Sequence, residues 1–237
     1  MLTLEGVTAG YGHTVIVDEV DLTLPAGGLL AVLGRNGVGK STLMKTIIGQ
    51  TRLRKGDIRF AGESIAAKPA YARSRLGVGY VPQTRDVFPS LTVEENLLIA
   101  ARPGKWTLER VFDLFPNLAG RRTNKGTEIS GGEQQMLSIG RALMGNPSLL
   151  LLDEPMEGLA PVIVEQLLAA FDTLRQDGDL ALILVEQYVN LALDFSPVTI
   201  VLDRGRVVFS GESERLRRDQ ELMAELIGTG GGAKSKH

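Results

Sequence analysis

The stretch GRNGVGKS, residues 34–41, has the residue types needed to bind a phosphate group, and we call it the phosphate-binding loop. Its glycines allow the backbone to wrap around an anion and to direct successive N–H groups towards it. The loop follows a predicted strand and opens a predicted helix, whose positive dipole end faces the same anion. Lys40 would reach the β- and γ-phosphates of a nucleotide, and Ser41 would ligate Mg²⁺. The alternative, a glycine-rich turn with a chance lysine, is disfavoured because motif and context agree.

Two adjacent acidic residues end the apolar stretch LLLLDE, residues 149–154. In open α/β sheets, ligands bind beyond the carboxyl ends of the strands. We therefore expect Asp153 to hold Mg²⁺, usually through water, and Glu154 to orient or deprotonate the attacking water. Adjacent carboxylates are costly to place together unless a cation or a function compensates. A solvated strand end is the alternative.

A second pair of glycines opens the helical stretch EISGGEQQMLSIGRAL, residues 128–143. Ser130 and Glu133 have the spacing of a capping box, and helix initiation alone is one interpretation. Glycine in a helix costs roughly 0.5–1 kcal/mol relative to alanine, so Gly131 and Gly132 favour the close approach of a backbone or a phosphate. Because the phosphate-binding loop already holds this chain's nucleotide, Ser130, Gly131 and Gly132 predict a site for a nucleotide held by another subunit. We call these three residues the second glycine site.

Three further residues are candidates on weaker evidence. Gln83 follows the predicted strand GVGYVP, where its amide would contact Mg²⁺ or the attacking water, although a loop glutamine is commonly just solvated. Tyr11 lies in a predicted turn, where its ring would stack on adenine; ordinary packing is the alternative. Gln187 ends the predicted strand DLALILVE and would donate a hydrogen bond to the γ-phosphate, unless it is a spectator.

The elements that must position these residues alternate between strand and helix. Continuous apolar stretches bounded by glycine or acidic residues, such as GLLAVLG and SLLLLDE, predict buried strands. The alternation predicts an α/β fold with a mostly parallel sheet and helices packed on it. Residues 84–146 predict an inserted helical subdomain, and the N-terminal strands predict a separate antiparallel element. We expect one domain over residues 1–237, ending in a flexible, low-complexity tail over residues 228–237.

Composition narrows the class of protein. The chain has 237 residues, a net charge of −2 and no cysteine. Disulfide and thiolate chemistry are therefore excluded, and the absence of a global basic field argues against nucleic acid as a partner. The N-terminal sequence lacks the pattern of a signal peptide, and no apolar stretch approaches the ~18 residues needed to span a bilayer. We expect a soluble protein.

Five motifs occur in a fixed order along nearly the whole chain: GRNGVGKST, YVPQ, ISGGEQQ, LLLLDEP and ILVEQ. In this order they resemble the ATPases of ATP-binding cassette (ABC) transporters, and the ISGGE stretch separates that family from other P-loop proteins. More narrowly, YVPQTRDVFPSLTVEENL, SGGEQQMLSIGRALMGNPSLLLLDEP and EGLAP are similar to the ATPase subunits of branched-chain (hydrophobic) amino-acid importers, above all the smaller of the two. Urea and short-amide importers have similar ATPases.

The resemblance implies an ABC-type P-loop nucleotide-binding domain with a parallel core, an N-terminal antiparallel β subdomain and an inserted helical subdomain. It implies ATP and Mg²⁺ as cofactors, with Glu154, Gln83 and Gln187 in catalysis and Ser41, Gln83 and Asp153 at the metal. It implies that ATP contacts the following residues: Tyr11, Gly34, Arg35, Asn36, Gly37, Val38, Gly39, Lys40, Ser41, Thr42 and, from the opposite subunit, Ser130, Gly131 and Gly132.

Three positions depart from the common family pattern. Glu133 stands where many members have Gln, Ala160 where many have Asp, and Gln187 where many have a switch His. Branched-chain importer subunits commonly share the last two. Glu133 would be kept away from a triphosphate if it folds back in a capping box.

The resemblance also implies a role and a set of partners. The chain would be a Mg²⁺-dependent ATPase on the cytoplasmic face of the inner membrane, peripheral to two permease subunits. A second related ATPase, or a second copy, would complete an ATP-sandwich dimer, and a periplasmic substrate-binding protein would be an indirect partner.

Other roles fit the sequence less well. Soluble ABC ATPases of DNA repair or translation usually carry two cassettes or a long coiled coil, whereas this chain has one phosphate-binding loop and no sustained heptads. An ordinary P-loop kinase or GTPase should lack ISGGE. An exporter subunit stays open, because the cargo never touches the ATPase.

Overall fold

The computed structural model describes residues 1–176 and 178–228, which contain two β-sheets and a set of short helices. The first sheet is antiparallel, in the order β2-β1-β4-β5. Its strands are β1 (Leu2–Tyr11), β2 (Thr14–Leu24), β4 (Arg52–Phe60) and β5 (Glu63–Ser64). This sheet is the antiparallel element expected at the N-terminus.

The second sheet holds the buried apolar strands, in the order β10-β9-β3-β8-β7-β6. They are β3 (Leu29–Leu33), β6 (Val78–Val81), β7 (Leu149–Asp153), β8 (Ala181–Glu186), β9 (Val198–Asp203) and β10 (Arg206–Glu212). All its neighbouring pairs are parallel except the hairpin of β9 and β10, which turns at Arg204 and Gly205 with positive φ at both. The predicted mostly parallel sheet is confirmed.

Helices pack around these sheets. They are α1 (Lys40–Ile47), α2 (Ala70–Arg75), α3 (Val93–Leu98), α4 (Leu108–Leu114), α5 (Pro116–Ala119), α6 (Gly131–Met144), α7 (Pro161–Gln176), α8 (Val189–Phe195), α9 (Ser213–Arg218) and α10 (Gln220–Ile227). Helix α7 begins at Pro161; of the residues that its periodicity places on one face, Leu167, Phe171 and Leu174 are buried and Ile163 is partly buried. Helix α2 was not anticipated, because its six residues are too few to show a helical period.

Three hydrophobic clusters flank the parallel sheet, and the third packs α8 and α9 against β3, β9 and β10. One joins α1 to the antiparallel sheet and includes Leu43, Met44 and Ile47. Another joins α3–α7 to strands β7 and β8, with Leu137 of α6 and Leu152 of β7 among its members. The helices between residues 84 and 146 therefore share their core with the sheet that carries the acidic pair.

The predicted flexible tail lies outside the described residues, apart from Gly228. Over residues 1–176 and 178–228, no helix combines the length and the apolar character that a bilayer crossing requires.

Candidate active site

The phosphate-binding loop connects β3, in the middle of the parallel sheet, to α1. Gly39 is the N-cap of α1 with φ 110°, a left-handed backbone conformation that side chains disfavour. A Cβ at Gly39 would also lie 3.2 Å from the carbonyl oxygen of Ile16. The sequence therefore needs glycine at this position to turn a buried strand into a helix whose first N–H groups face outward.

Lys40 lies beneath the loop, almost fully buried. Its Nζ donates to the carbonyl oxygens of Gly34 at 2.8 Å and Arg35 at 3.2 Å. It also forms an ion pair with Oε1 of Glu154 at 3.0 Å. All three partners of the Lys40 ammonium are oxygen atoms. Phosphate oxygens would be equally suitable hydrogen-bond acceptors in their place.

Asp153, at the end of β7, lies against two hydroxyl groups. Ser41 Oγ donates to its Oδ1 at 3.0 Å, and Tyr80 OH donates to its Oδ2 at 3.0 Å. Burial raises the pKa of Asp153, while the hydrogen bonds from Tyr80 and Ser41 act in the opposite direction. A buried carboxylate beside a hydroxyl is the hard oxygen donor set that Mg²⁺ prefers, so these residues fit that ion.

Tyr80 is a site residue that the sequence analysis missed. It lies in β6, next to β7 in the sheet, which brings its hydroxyl to Asp153. Burial and the charge of Asp153 raise the pKa of Tyr80, so the phenol stays protonated and donates. In the sequence, the indication of this role was a tyrosine in a strand whose other residues are glycine and valine.

Gln83 follows β6 and reaches across to the acidic end of β7. Its Nε2 donates to Oε2 of Glu154 at 3.3 Å and to Oε2 of Glu157. Tyr11 lies at the rim, 45% exposed. A pocket of about 400 Å³ brings these residues together with the loop; it is lined by Tyr11, Ile16, Asn36, Gly37, Gly39, Lys40, Ser41, Thr42, Gln83, Glu154 and Glu157.

The second glycine site lies at the N-terminus of α6 and, within the described residues, does not line that pocket. The Ser130 N–H donates to Oε2 of Glu133 at 2.7 Å, and Ser130 Oγ accepts from the Glu133 N–H at 3.2 Å, so the capping box is complete. Arg121 pairs with the same carboxylate at 3.4 Å. The charge of Glu133 is therefore folded back and partly neutralised.

The glycines of this site also make room for side chains of the same chain. A Cβ at Gly132 would lie 2.8 Å from Ile163 of α7, and one at Gly131 would lie 2.8 Å from a guanidinium nitrogen of Arg85. The sequence analysis expected a backbone or a phosphate to approach these glycines. The structure places side chains of the same subunit there, from α7 and from the segment after Gln83.

Gln187 lies just beyond β8 and is partly buried. It lines a neighbouring pocket with Gly34, Arg35 and Asn36. In this structure it is close to the loop, whereas Gln83 is the residue that contacts Glu154.

Glu186, the last residue of β8, is a second residue that the sequence analysis missed. Its side chain is fully buried, and Oε2 accepts from the Gln187 N–H at 3.2 Å. Burial raises the pKa of Glu186 to about 7, the charge of Glu154 adds to the rise, and the Gln187 N–H opposes it. In the sequence, the indication that Glu186 belongs to the site was a charged residue at the end of an otherwise apolar strand.

The fold and this site together define a P-loop nucleotide-binding protein. The family model described as "ABC transporter" matches residues 17–157. The chain therefore belongs to the ABC transporter family, as the order of its motifs predicted.

Individual relatives match over nearly the full length. The chain is 38% identical over 236 residues to the high-affinity branched-chain amino acid transport ATP-binding protein BraG of Pseudomonas aeruginosa, covering 96% of this chain and 100% of that protein. It is 39% identical over 233 residues to the probable branched-chain amino acid transport ATP-binding protein LivF of Archaeoglobus fulgidus, covering 96% and 99%. Among solved structures, the ADP conformation of an ATP-binding cassette of an ABC transporter superimposes with a TM-score of 0.82 at 25% identity, covering 97% of this chain and 99% of that one.

Proposed function

We propose that this chain is the ATP-hydrolysing subunit of a membrane importer for branched-chain or other hydrophobic amino acids. The observation that carries the ATPase is the convergence of Lys40, Ser41, Gln83 and Glu154 on one pocket, with Asp153 hydrogen-bonded to Ser41 beside it. Support for the substrate class comes from the names of the two relatives, each of which matches 96% of this chain. Because the ATPase does not contact the transported substrate, its own residues do not indicate which substrate that is.

The residues of the pocket suggest how the γ-phosphate would be held and attacked. Lys40 would exchange carbonyl and carboxylate partners for phosphate oxygens, and Glu154 would then be released to orient the attacking water. Gln83, already in contact with Glu154, would hold the same water from the other side. Ser41 and Asp153 would hold Mg²⁺, which neutralises charge on the phosphates when bound. Gln187 would add a hydrogen bond to the γ-phosphate without titrating.

The second glycine site would complete the pocket of an opposite subunit. Over the described residues it does not line this chain's own nucleotide pocket, and it lies at the start of a 14-residue helix, where the first N–H groups lack intrahelical partners. The opposite subunit would be a related ATPase or a second copy. We further propose two permease subunits and a periplasmic binding protein as partners, with this chain on the cytoplasmic face of the membrane.

Lys40 provides the test of the ATPase assignment. Replacing Lys40 alone leaves Glu154 buried without a cation, which costs roughly 3–5 kcal/mol and would confuse folding with binding. We therefore compare Glu154→Gln with the neutral double variant Lys40→Met/Glu154→Gln. The single variant should bind ATP, and the double variant should fold yet lose most of its ATP affinity, measured by equilibrium titration with a fluorescent ATP.

The control adds Lys55→Ala, at an exposed lysine of β4, to the Glu154→Gln variant, and it should bind ATP with the affinity of the single variant. Equal ATP affinity of the single variant and of Lys40→Met/Glu154→Gln, with both shown to be folded by their thermal melts, would disprove the assignment.

A further inference from the structure

Arg85 occupies a specific position between two functional segments. It follows Gln83 by two residues, and its backbone φ is 66°, with Asp86 next to it at 48°. Non-glycine residues rarely adopt this conformation, so two in succession must be held by their surroundings. The carbonyl oxygen of Arg85 accepts a hydrogen bond from Arg141 of α6 at 3.4 Å, which ties the segment to that helix.

The Arg85 side chain extends along α6 to its first turn. A Cβ built on Gly131 would lie 2.8 Å from Nη1, 3.5 Å from Cζ and 3.7 Å from Nη2 of Arg85. The guanidinium therefore occupies the space that any side chain at position 131 would need. It lies beside the N–H groups that an anion at this helix end would use.

The charge of Arg85 is not compensated within the described part of the chain, where no carboxylate lies within ion-pair distance of it. The neighbouring carboxylate, Glu133, is bonded to Ser130 and paired with Arg121 instead. An unpaired guanidinium next to the positive end of a helix dipole is unfavourable unless an anion joins them.

We propose that Arg85 is a further γ-phosphate ligand, which acts with Ser130 and Gly132 on the nucleotide held by the opposite subunit. The proposal rests on the ATP sandwich under Proposed function. The planar guanidinium fork suits two phosphate oxygens and supplies a full positive charge where the glycine backbone supplies partial ones. Arg85 does not line this chain's own nucleotide pocket, as far as the described residues define it.

This position gives the segment a double role. Gln83 contacts Glu154 of this chain's own pocket, while Arg85 faces the pocket of the partner. A shift of this three-residue segment would therefore alter both composite sites together.

The experiment measures self-association driven by ATP in the Glu154→Gln parent, alone and mixed with its partner ATPase, by light scattering. Adding Arg85→Gln should weaken ATP-dependent association about 10- to 100-fold, the range for loss of a charge-assisted hydrogen bond. Binding of ATP to the monomer should stay within about twofold, because the monomer uses its own phosphate-binding loop. Arg85→Lys keeps the charge but loses the planar fork, so its ATP-dependent association should be intermediate between that of the parent and that of Arg85→Gln.

The matched control is Arg175→Gln, which removes the same charge from a solvated pair with Asp172. Arg175 lies twelve residues along α7 from Ile163, the residue next to Gly132, which corresponds to roughly 18 Å along the helix at 1.5 Å per residue. This control should associate like the parent.

Two results would overturn the role of Arg85: association of Arg85→Gln within twofold of the parent, or a parallel loss of ATP affinity in the monomer. If the parent itself does not associate with ATP, with or without its partner ATPase, the ATP sandwich is wrong and the role of Arg85 fails with it. Whether the Glu154→Gln parent associates with ATP therefore distinguishes failure of the role of Arg85 from failure of the ATP sandwich.

Discussion

The Glu186 carboxyl lies fully buried at the end of β8, where it accepts a hydrogen bond from the Gln187 N–H. One of its oxygens, Oε1, is buried without a hydrogen-bond partner in the described structure. A protonated carboxyl is the form that tolerates this environment, which agrees with the pKa of Glu186 raised by burial to about 7. Near neutral pH this group therefore changes charge within the electrostatic influence of Glu154.

This raised pKa predicts a pH-dependent stability difference between Glu186→Gln and the parent. Between pH 4.5 and about 7 the folded state keeps a proton that the unfolded state releases, so this group lowers the free energy of unfolding as pH rises. The Glu186→Gln variant has no ionisable group at this position, so its free energy of unfolding does not fall for this reason as the pH rises. Its stability relative to the parent should increase between pH 5 and pH 8, by an amount on the order of 3 kcal/mol, measured by urea unfolding.

The control for this prediction is Glu63→Gln, an exposed carboxylate on β5, which should show no comparable trend. A Glu186→Gln difference that stays constant from pH 5 to pH 8 would contradict the assignment of a buried protonated carboxyl.

At the scale of elements, α1 depends on a clamp at the end remote from the nucleotide. Arg73 of α2 is buried, and its guanidinium donates to the carbonyl oxygens of Thr46 and Ile47 at the C-terminus of α1 at 2.9 and 2.8 Å. It also donates to the carbonyl oxygens of Ala66 and Lys68. The terminal carbonyls of a helix lack intrahelical partners, so a cation there satisfies them and complements the dipole.

Arg73→Met should therefore lower the free energy of unfolding by about 2–4 kcal/mol, because four carbonyl groups, two of them buried, lose their charged donor while the aliphatic volume is kept. The measurement is urea unfolding, with Arg75→Met as the matched control. Arg75 is an exposed arginine of the same helix that lies over the Tyr71 ring. The clamp would be refuted by equal stability losses in the two variants.

At the scale of the whole molecule, an apolar surface forms where the segment after Gln83 meets α3. Phe88 is 44% exposed, Leu98 47% and Ile99 61%. Buried Asn96 holds Phe88 against α3, since its side chain accepts from the Phe88 N–H at 2.9 Å and donates to the Phe88 carbonyl at 3.1 Å. Val87, in contrast, packs on the core of the helical segment, so the neighbouring residues are not uniformly exposed. Exposed apolar patches of this kind mark interfaces, and we infer that this one receives the permease subunits.

Phe88→Asp should then abolish uptake of branched-chain amino acids by the assembled transporter while ATP hydrolysis by the isolated subunit stays near the parent rate. Phe88→Leu should retain uptake, because it keeps an apolar side chain. Val208→Asp is a matched control, since Val208 is an exposed valine of β10, at the opposite edge of the parallel sheet from β6. Normal uptake with Phe88→Asp would show that the patch is not a coupling surface.

Much of this protein was predictable because its chemistry is local in sequence. The phosphate-binding loop needs glycines between a buried strand and a helix, and the eight residues GRNGVGKS contain them in the required pattern. The same holds for the capping boxes at Thr92 and Ser130, where each partner is three residues away. The parallel sheet followed from alternating apolar stretches and amphipathic helices.

Contacts across strands and between helices were decided by the tertiary structure alone. The hydroxyl of Tyr80 meets Asp153 because β6 and β7 are neighbours in the sheet, although 73 residues separate them in sequence. Arg85 reaches Gly131 because the segment after β6 runs along α6, and Arg73 caps a helix 26 residues away. A local pattern fixes backbone conformation and the face that is buried, but the partner of a long polar side chain depends on which elements the fold places side by side.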